Sequence, residues 1–120
     1  MGNVIKEKSF EFAVHIVRFC RVLISEQKEY VLSKQLLKAG TSVGANVREG
    51  INAQSTPDFI HKLSISQKEC DESIYWLELL KETGYTTDSE FNNLNQKAVE
   101  ILKILKSIIL TSKSKLPLNS

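Results

Sequence analysis

The groups most suited to chemistry in this chain sit in Thr41-Ser42-Val43-Gly44-Ala45-Asn46-Val47-Arg48-Glu49-Gly50. Ser42, Asn46 and Glu49 recur at i, i+4 and i+7, which on a helix lines a hydroxyl, an amide and a carboxylate along one side. Such a set could hold a small polar ligand. Nucleophilic catalysis would need a histidine beside a serine, and Ser42, Ser64 and Ser66 have none at a spacing that would bring it there. A di-iron bundle site would need Glu-x-x-His on each of two helices. Here His61 follows Asp58 and His15 follows Phe12, so that pattern fails. Gly40-x-x-x-Gly44 lacks the Lys-Ser/Thr that completes a phosphate loop. No catalytic residue, metal ligand or cofactor is therefore expected.

What remains is structural. Glu49, Glu69 and Glu72 are the carboxylates to weigh, with Asn46 and Glu49 expected to approach Ser66, Glu69 and Ser73 on the next helix. Gln35, Ser42, Asn46, Glu49 and Glu72 then read as a polar layer that sets helix register, because a buried polar group demands a partner. Glycine costs about 1 kcal/mol relative to alanine inside a helix, so Gly40 and Gly44 are expected where a neighbouring backbone comes close.

These groups must be carried by helices, because apolar residues recur at helical spacing in four segments. The first runs from Val4 or Ser9 to Ser25, with Phe10, Ala13, Ile16 or Val17, Cys20 and Leu23 or Ile24 inward. Phe12, Phe19 and Val14 widen that stripe, so this helix is expected to meet more than one neighbour or another subunit. The second segment, Leu32 to Ala53, has Leu36, Gly40, Val43 or Gly44, Val47 and Ile51 inward. Thr56 as N-cap with Pro57 at the first helical position opens the third. That segment points Phe59 or Ile60, Leu63, Gln67, Cys70, Ile74, Leu77 and Leu80 inward and ends before Gly84. Thr87 and Glu90 have capping-box spacing at the start of the fourth, which reaches Ser112. Short links predict an all-α, antiparallel up-down-up-down four-helix bundle over residues 1–113, with 114–120 as a loose tail.

Composition agrees. The chain has 120 residues, 42% hydrophobic and 25% charged, enough for one core without staples. Cys20 and Cys70 show neither zinc spacing nor a disulfide framework, and read as reduced core residues. No apolar run approaches the roughly 18 residues of a membrane span, and Lys6 stands where a myristoylation motif wants Ser or Thr. A soluble cytoplasmic protein with no membrane partner is expected. The net charge of +2 is unevenly spread: residues 57–100 carry four Lys/Arg against nine acids, whereas 101–120 carry four lysines and no acid. Lys103, Lys106, Lys113 and Lys115, with Arg18 and Arg21, are thus the candidate nucleic-acid contacts.

Gln35, Lys38, Ser42, Asn46, Glu49 and Gly50, followed by Phe59, Leu63 and Glu72, resemble the four-helix bundle proteins encoded in 23S rRNA intervening sequences. The run Lys68-Glu69-Cys70-Asp71-Glu72-Ser73-Ile74-Tyr75-Trp76-Leu77 matches one branch, and the likeness covers Ser9 to Leu110. The resemblance implies an up-down bundle that assembles into a homo-oligomeric ring, a pentamer, without an established reaction. A related protein, the accessory protein of diversity-generating retroelements, binds nucleic acid and a reverse transcriptase through a basic surface. This chain differs in its acidic third segment. The leading expectation is a non-enzymatic homo-oligomeric bundle protein. A nucleic-acid-binding accessory factor with RNA, DNA or a partner protein is the first alternative, and a small-molecule binder using Asn46 and Glu49 the second.

Overall fold

Four helices are present: α1 (Gly2–Gln27), α2 (Val31–Ile51), α3 (Thr56–Glu82) and α4 (Asp88–Ser114). The structure, a computed structural model, describes residues 2–117, and among these there is no β-strand. The helix ends follow local chemistry. Lys28 turns into the left-handed region at φ 55° and stops α1. Glu29 then folds its buried carboxylate over the start of α2, accepting the Leu32 N–H at 2.6 and 2.9 Å and the Ser33 N–H at 3.3 Å. The link between α1 and α2 is thus also a cap, which satisfies orphan donors of the first turn. Glu29→Ala should lower stability by about 1 kcal/mol, the usual value of an N-terminal cap, read from the urea midpoint at unchanged m.

The α3 cap falls one residue earlier than expected. Ser55, not Thr56, is the N-cap; its Oγ accepts the Asp58 N–H at 3.2 Å, and Thr56 and Pro57 open the helix. Proline has no N–H to lose in the first turn, so either position suits it. At the other end Gly84, at φ +84°, closes α3 with its N–H on Lys81 O (3.1 Å) and the Tyr85 N–H on Leu80 O (2.9 Å). These are the paired bonds of a Schellman motif. Thr87 and Glu90 form the capping box of α4. Of the expected tail, Ser114 belongs to α4 and Leu116 packs against the core; 118–120 lie outside the described residues.

All four helices feed one core, in which Phe12, Ile16, Leu36, Val43, Leu63, Leu77, Ala98 and Leu105 have no accessible surface or almost none. Each helix touches two others, in the cycle α1–α2–α3–α4–α1, and the molecule measures 52 × 22 × 21 Å. Partners fall in number along one helix as they rise along the next. Ile16 meets Gly40 and Ser9 meets Gly44; Glu49 pairs with Lys62, while Val43 pairs with Ser66. On the remaining seams Cys70 meets Ala98 and Lys81 meets Asp88, and Lys8 pairs with Glu100 as Glu11 does with Lys97. Among the described residues, no helix is long and apolar enough to cross a membrane.

The inward register of two helices differs from expectation, and on a third, α2, Ile51 at the last position is exposed rather than inward. On α1 the buried line is Ile5, Ser9, Phe12, Ile16, Cys20 and Leu23, which leaves Phe10, Ala13 and Val17 on its edge. On α3 Ser66 and Ser73 are fully buried, whereas Gln67 and Ile74 are only half-buried. Phe91, Leu94, Ala98, Ile101 and Leu105 line the inner side of α4.

Candidate functional site

The stretch from Thr41 to Gly50 packs on two sides. A Cβ built on Gly40 would lie 2.8 Å from Ile16 Cγ2 and 3.2 Å from its Cβ, and one on Gly44 would lie 3.2 Å from the Ser9 carbonyl oxygen. Both glycines therefore face α1. On the opposite flank Glu49 approaches Lys62 of α3 at 3.9 Å. Gly50 also faces α3, where an added Cβ would meet Leu63 Cδ1 at 2.5 Å.

The polar side chains are not arranged as an interhelical layer. Ser42 Oγ donates to the Lys38 carbonyl (2.6 Å), and Asn46 Nδ2 donates to the Ser42 carbonyl (2.8 Å), both within α2. Short polar side chains readily reach the carbonyl one turn back. Gln35 and Glu72 are exposed, Glu72 accepting the Trp76 ring N–H at 3.2 Å, and the Glu49 carboxylate is 60% exposed. The buried tie is made by Ser66 instead, whose Oγ donates to the Val43 carbonyl at 2.8 Å. Its signal in the sequence is Leu63, Ser66, Cys70, Ser73 and Leu77, an alternation of three and four with small residues at the closest approach.

Charge on the flanks is locally compensated. Burial pushes the Glu69 carboxyl above its usual range, with Glu72 adding to the shift and Lys38 and Lys68 opposing it. Glu69 ionised is the disfavoured form, so its contribution to stability improves as pH falls through its raised folded pKa. The exposed Glu100 behaves oppositely. A hydrogen bond from Lys8 lowers its pKa, and the pair's contribution, present above the unfolded value, is lost as pH falls through the folded one. Burial raises Cys20 and Cys70 to about 12, and their thiols donate to the carbonyls of Ser33 and Ala98. They are inert at neutral pH. His15 approaches Glu11 at 3.7 Å and His61 is exposed. Among the described residues, no group of three His, Cys, Asp or Glu could hold a metal ion.

The basic candidates are spread along the length of the molecule. Arg18 lines a groove with Glu90, Asn93 and Leu94, near the start of α4. Arg21 lies one turn further along α1. Lys103 lines a groove with Val4, and Lys115 one with Ala53 and Ser55. The rise of 1.5 Å per residue puts Asn93 about 33 Å from Lys115. One protomer therefore does not gather these six residues on one face.

A different surface is left open. Phe10, Ala13, Val14 and Val17 recur at i, i+3, i+4 and i+7 on the outer, α2-ward flank of α1, and none belongs to the core. Phe10 is 54% exposed, with the Arg48 guanidinium over its ring at 5.1 Å. Its neighbours on that flank are half-buried.

A solved structure of a protein of unknown function from the S23 ribosomal protein family of Bacteroides thetaiotaomicron VPI-5482 superposes with a TM-score of 0.89 at 54% identity. The match covers 90% of this chain and 96% of that one. No functionally curated protein matches. The family model described as the 23S rRNA-intervening sequence protein matches residues 2–107. The chain belongs to the 23S rRNA-intervening sequence protein family.

Proposed function

We propose that this protein is a non-enzymatic, homo-oligomeric interaction protein of the cytoplasm, built as an antiparallel up-down-up-down bundle. The opposed register of partners at all four seams supports the up-down order. Two reduced thiols suit a reducing compartment. The single observation that carries the assembly is the outer apolar stripe of α1, a second hydrophobic line outside the core that the protomer covers only in part. Apolar surface of this kind marks an interaction site, and its occupant is a second copy of the chain. The resemblance to ring-forming bundle proteins makes a pentamer the expected closure.

Light scattering at micromolar concentration tests it. The wild type should have a multiple of the 13.6 kDa chain mass, and Phe10→Glu should reduce that mass while leaving helix content unchanged. A wild type that stays monomeric overturns the proposal.

The second reading is a nucleic-acid accessory factor related in role to the diversity-generating retroelement protein. It is favoured by Lys103, Lys106, Lys113 and Lys115, all exposed on a segment without acids. Assembly would repeat this patch around a ring. Filter binding to structured RNA should then weaken steeply with salt, as phosphate contacts do; no affinity at low salt removes this reading.

A further inference from the structure

Two salt bridges close the middle of the α1–α4 seam, Lys8–Glu100 at 2.8 Å and Lys97–Glu11 at 3.4 Å. On either side of them the helices part into a groove. One, of about 260 Å³, is lined by His15, Arg18, Phe19, Val22, Asn93 and Leu94, together with Glu90. The other, of about 380 Å³, is lined by Val4, Lys103, Ile104, Ser107 and Ile108. Leu94 and Ile104 are ten residues apart on α4, which separates the grooves by about 15 Å along the seam.

Each groove joins an apolar floor to a cation. In the first, Leu94 belongs to the core and Phe19 packs against it, so these two form the floor. Arg18, Val22 and Asn93 are exposed and form the rim. In the second, Ile108 and Ile104 take the floor and Lys103 the rim. Arg18 and Lys103 belong to none of the ion pairs among the described residues. The Glu90 carboxylate is engaged at the start of α4, where Oε1 accepts the Thr86 hydroxyl at 3.2 Å and the Thr87 N–H at 3.3 Å. Arg21, one turn beyond Arg18, adds a second exposed guanidinium.

An aromatic ring in an apolar floor, a planar cation and an open amide suit an unpaired nucleobase. The flat groups stack on it, the amide answers its edge, and the cation takes the adjoining phosphate. A base stacked inside a duplex offers no face to such a groove. Structured RNA supplies unpaired bases in its loops, whereas duplex DNA keeps them paired. An apolar protein side chain would fill the floor as well, but it would leave Arg18 and Lys103 unmatched. A polyanion matches both.

We propose that the α1–α4 seam is a binding track for the single-stranded loops of RNA. One unpaired base sits on Phe19 and Leu94 beside Arg18 and Asn93, and the strand continues past the salt-bridged middle to Lys103. The inference rests on the nucleic-acid reading above and gives it a site apart from Lys106, Lys113 and Lys115.

Fluorescence anisotropy on the full chain tests this at low salt, with a labelled RNA hairpin carrying a uridine loop and a fully paired RNA duplex of equal phosphate count. The wild type should bind the hairpin about tenfold more tightly than the duplex, the range of one stacked base. Asn93→Ala, which leaves the charge unchanged, should weaken hairpin binding about tenfold and leave the duplex unaffected. Arg18→Ala should weaken the hairpin and lower its salt slope by about one, whereas Lys113→Ala should weaken both probes alike. These side chains are exposed, so circular dichroism should show unchanged helix content. Equal affinity for hairpin and duplex overturns the proposal, as does an Asn93→Ala protein that binds the hairpin like the wild type. In either case duplex binding that Lys113→Ala weakens leaves the nucleic-acid reading standing. Absence of binding to both probes removes both. An Arg18→Ala protein with lower assembly mass and unchanged RNA affinity assigns the groove to a protein contact and overturns the proposal too.

Discussion

Phe12→Ala is expected to cost about 3–5 kcal/mol, the range for truncating a fully buried phenylalanine. Phe12 has no accessible surface and sits at the centre of the α1 core line with Ile16 and Ile5. Removing the ring forfeits its transfer free energy and opens a cavity that close-packed neighbours cannot fill. The measurement is the urea midpoint, read against Phe10→Ala. Phe10, two residues away and 54% exposed, should change the midpoint by about 1 kcal/mol or less, and should act on assembly mass instead. If Phe10→Ala destabilises as much as Phe12→Ala, the two registers of α1 have been assigned the wrong way round.

Gly40→Val should destabilise by about 3 kcal/mol, at the upper end of overpacking costs. Helix propensity pulls the other way but is worth under about 1 kcal/mol. Sterics decide the sign, because the first added carbon already falls 2.8 Å from Ile16 Cγ2 and 3.2 Å from Ile16 Cβ. A β-branched neighbour anchored at its own Cβ cannot swing aside as a long side chain would. Separation of α1 from α2 is the remaining relief, and it would disturb the Ser9–Gly44 approach one turn along. Ile16→Ala in the same chain should recover part of the loss, measured as a double-mutant cycle with non-additivity above about 0.5 kcal/mol. Strict additivity would mean that Gly40 is not held against Ile16.

Much of this architecture was legible in the residues. Helix boundaries follow from punctuation that acts locally: the Thr87–Glu90 box and Gly84 need only their own turn to work. The resemblance carried by Ser42, Asn46, Glu49 and Gly50 likewise led to the family whose model spans residues 2–107. The α3 cap was harder, because Ser55 and Thr56 are equally capable acceptors and only the path of the chain chose between them.

Site-level expectations met a different limit. A stripe at spacings of three and four is satisfied on α1 by Phe10, Ala13 and Val17 as well as by Phe12, Ile16 and Cys20. Which line is buried depends on the rotation of the whole helix, and that is set by α2 and α4. Spacing likewise aligned Ser42, Asn46 and Glu49, but alignment does not say whether a side chain reaches a neighbour or its own carbonyl. The structure has Ser42 and Asn46 bonded within α2, and Ser66 making the buried tie.

By itself, then, the sequence determined four amphipathic helices, their caps, two glycines inside a helix and the acidic and basic ends of the charge pattern. These are local properties, decided within one turn or summed along the chain. Only the tertiary structure decided that Phe10 lies outside the core, that Arg18 and Lys115 sit at opposite ends, and that Ser66 makes the buried tie to α2. Each depends on helix rotation and relative height, which arise from packing four helices at once and have no counterpart in the spacing along any one.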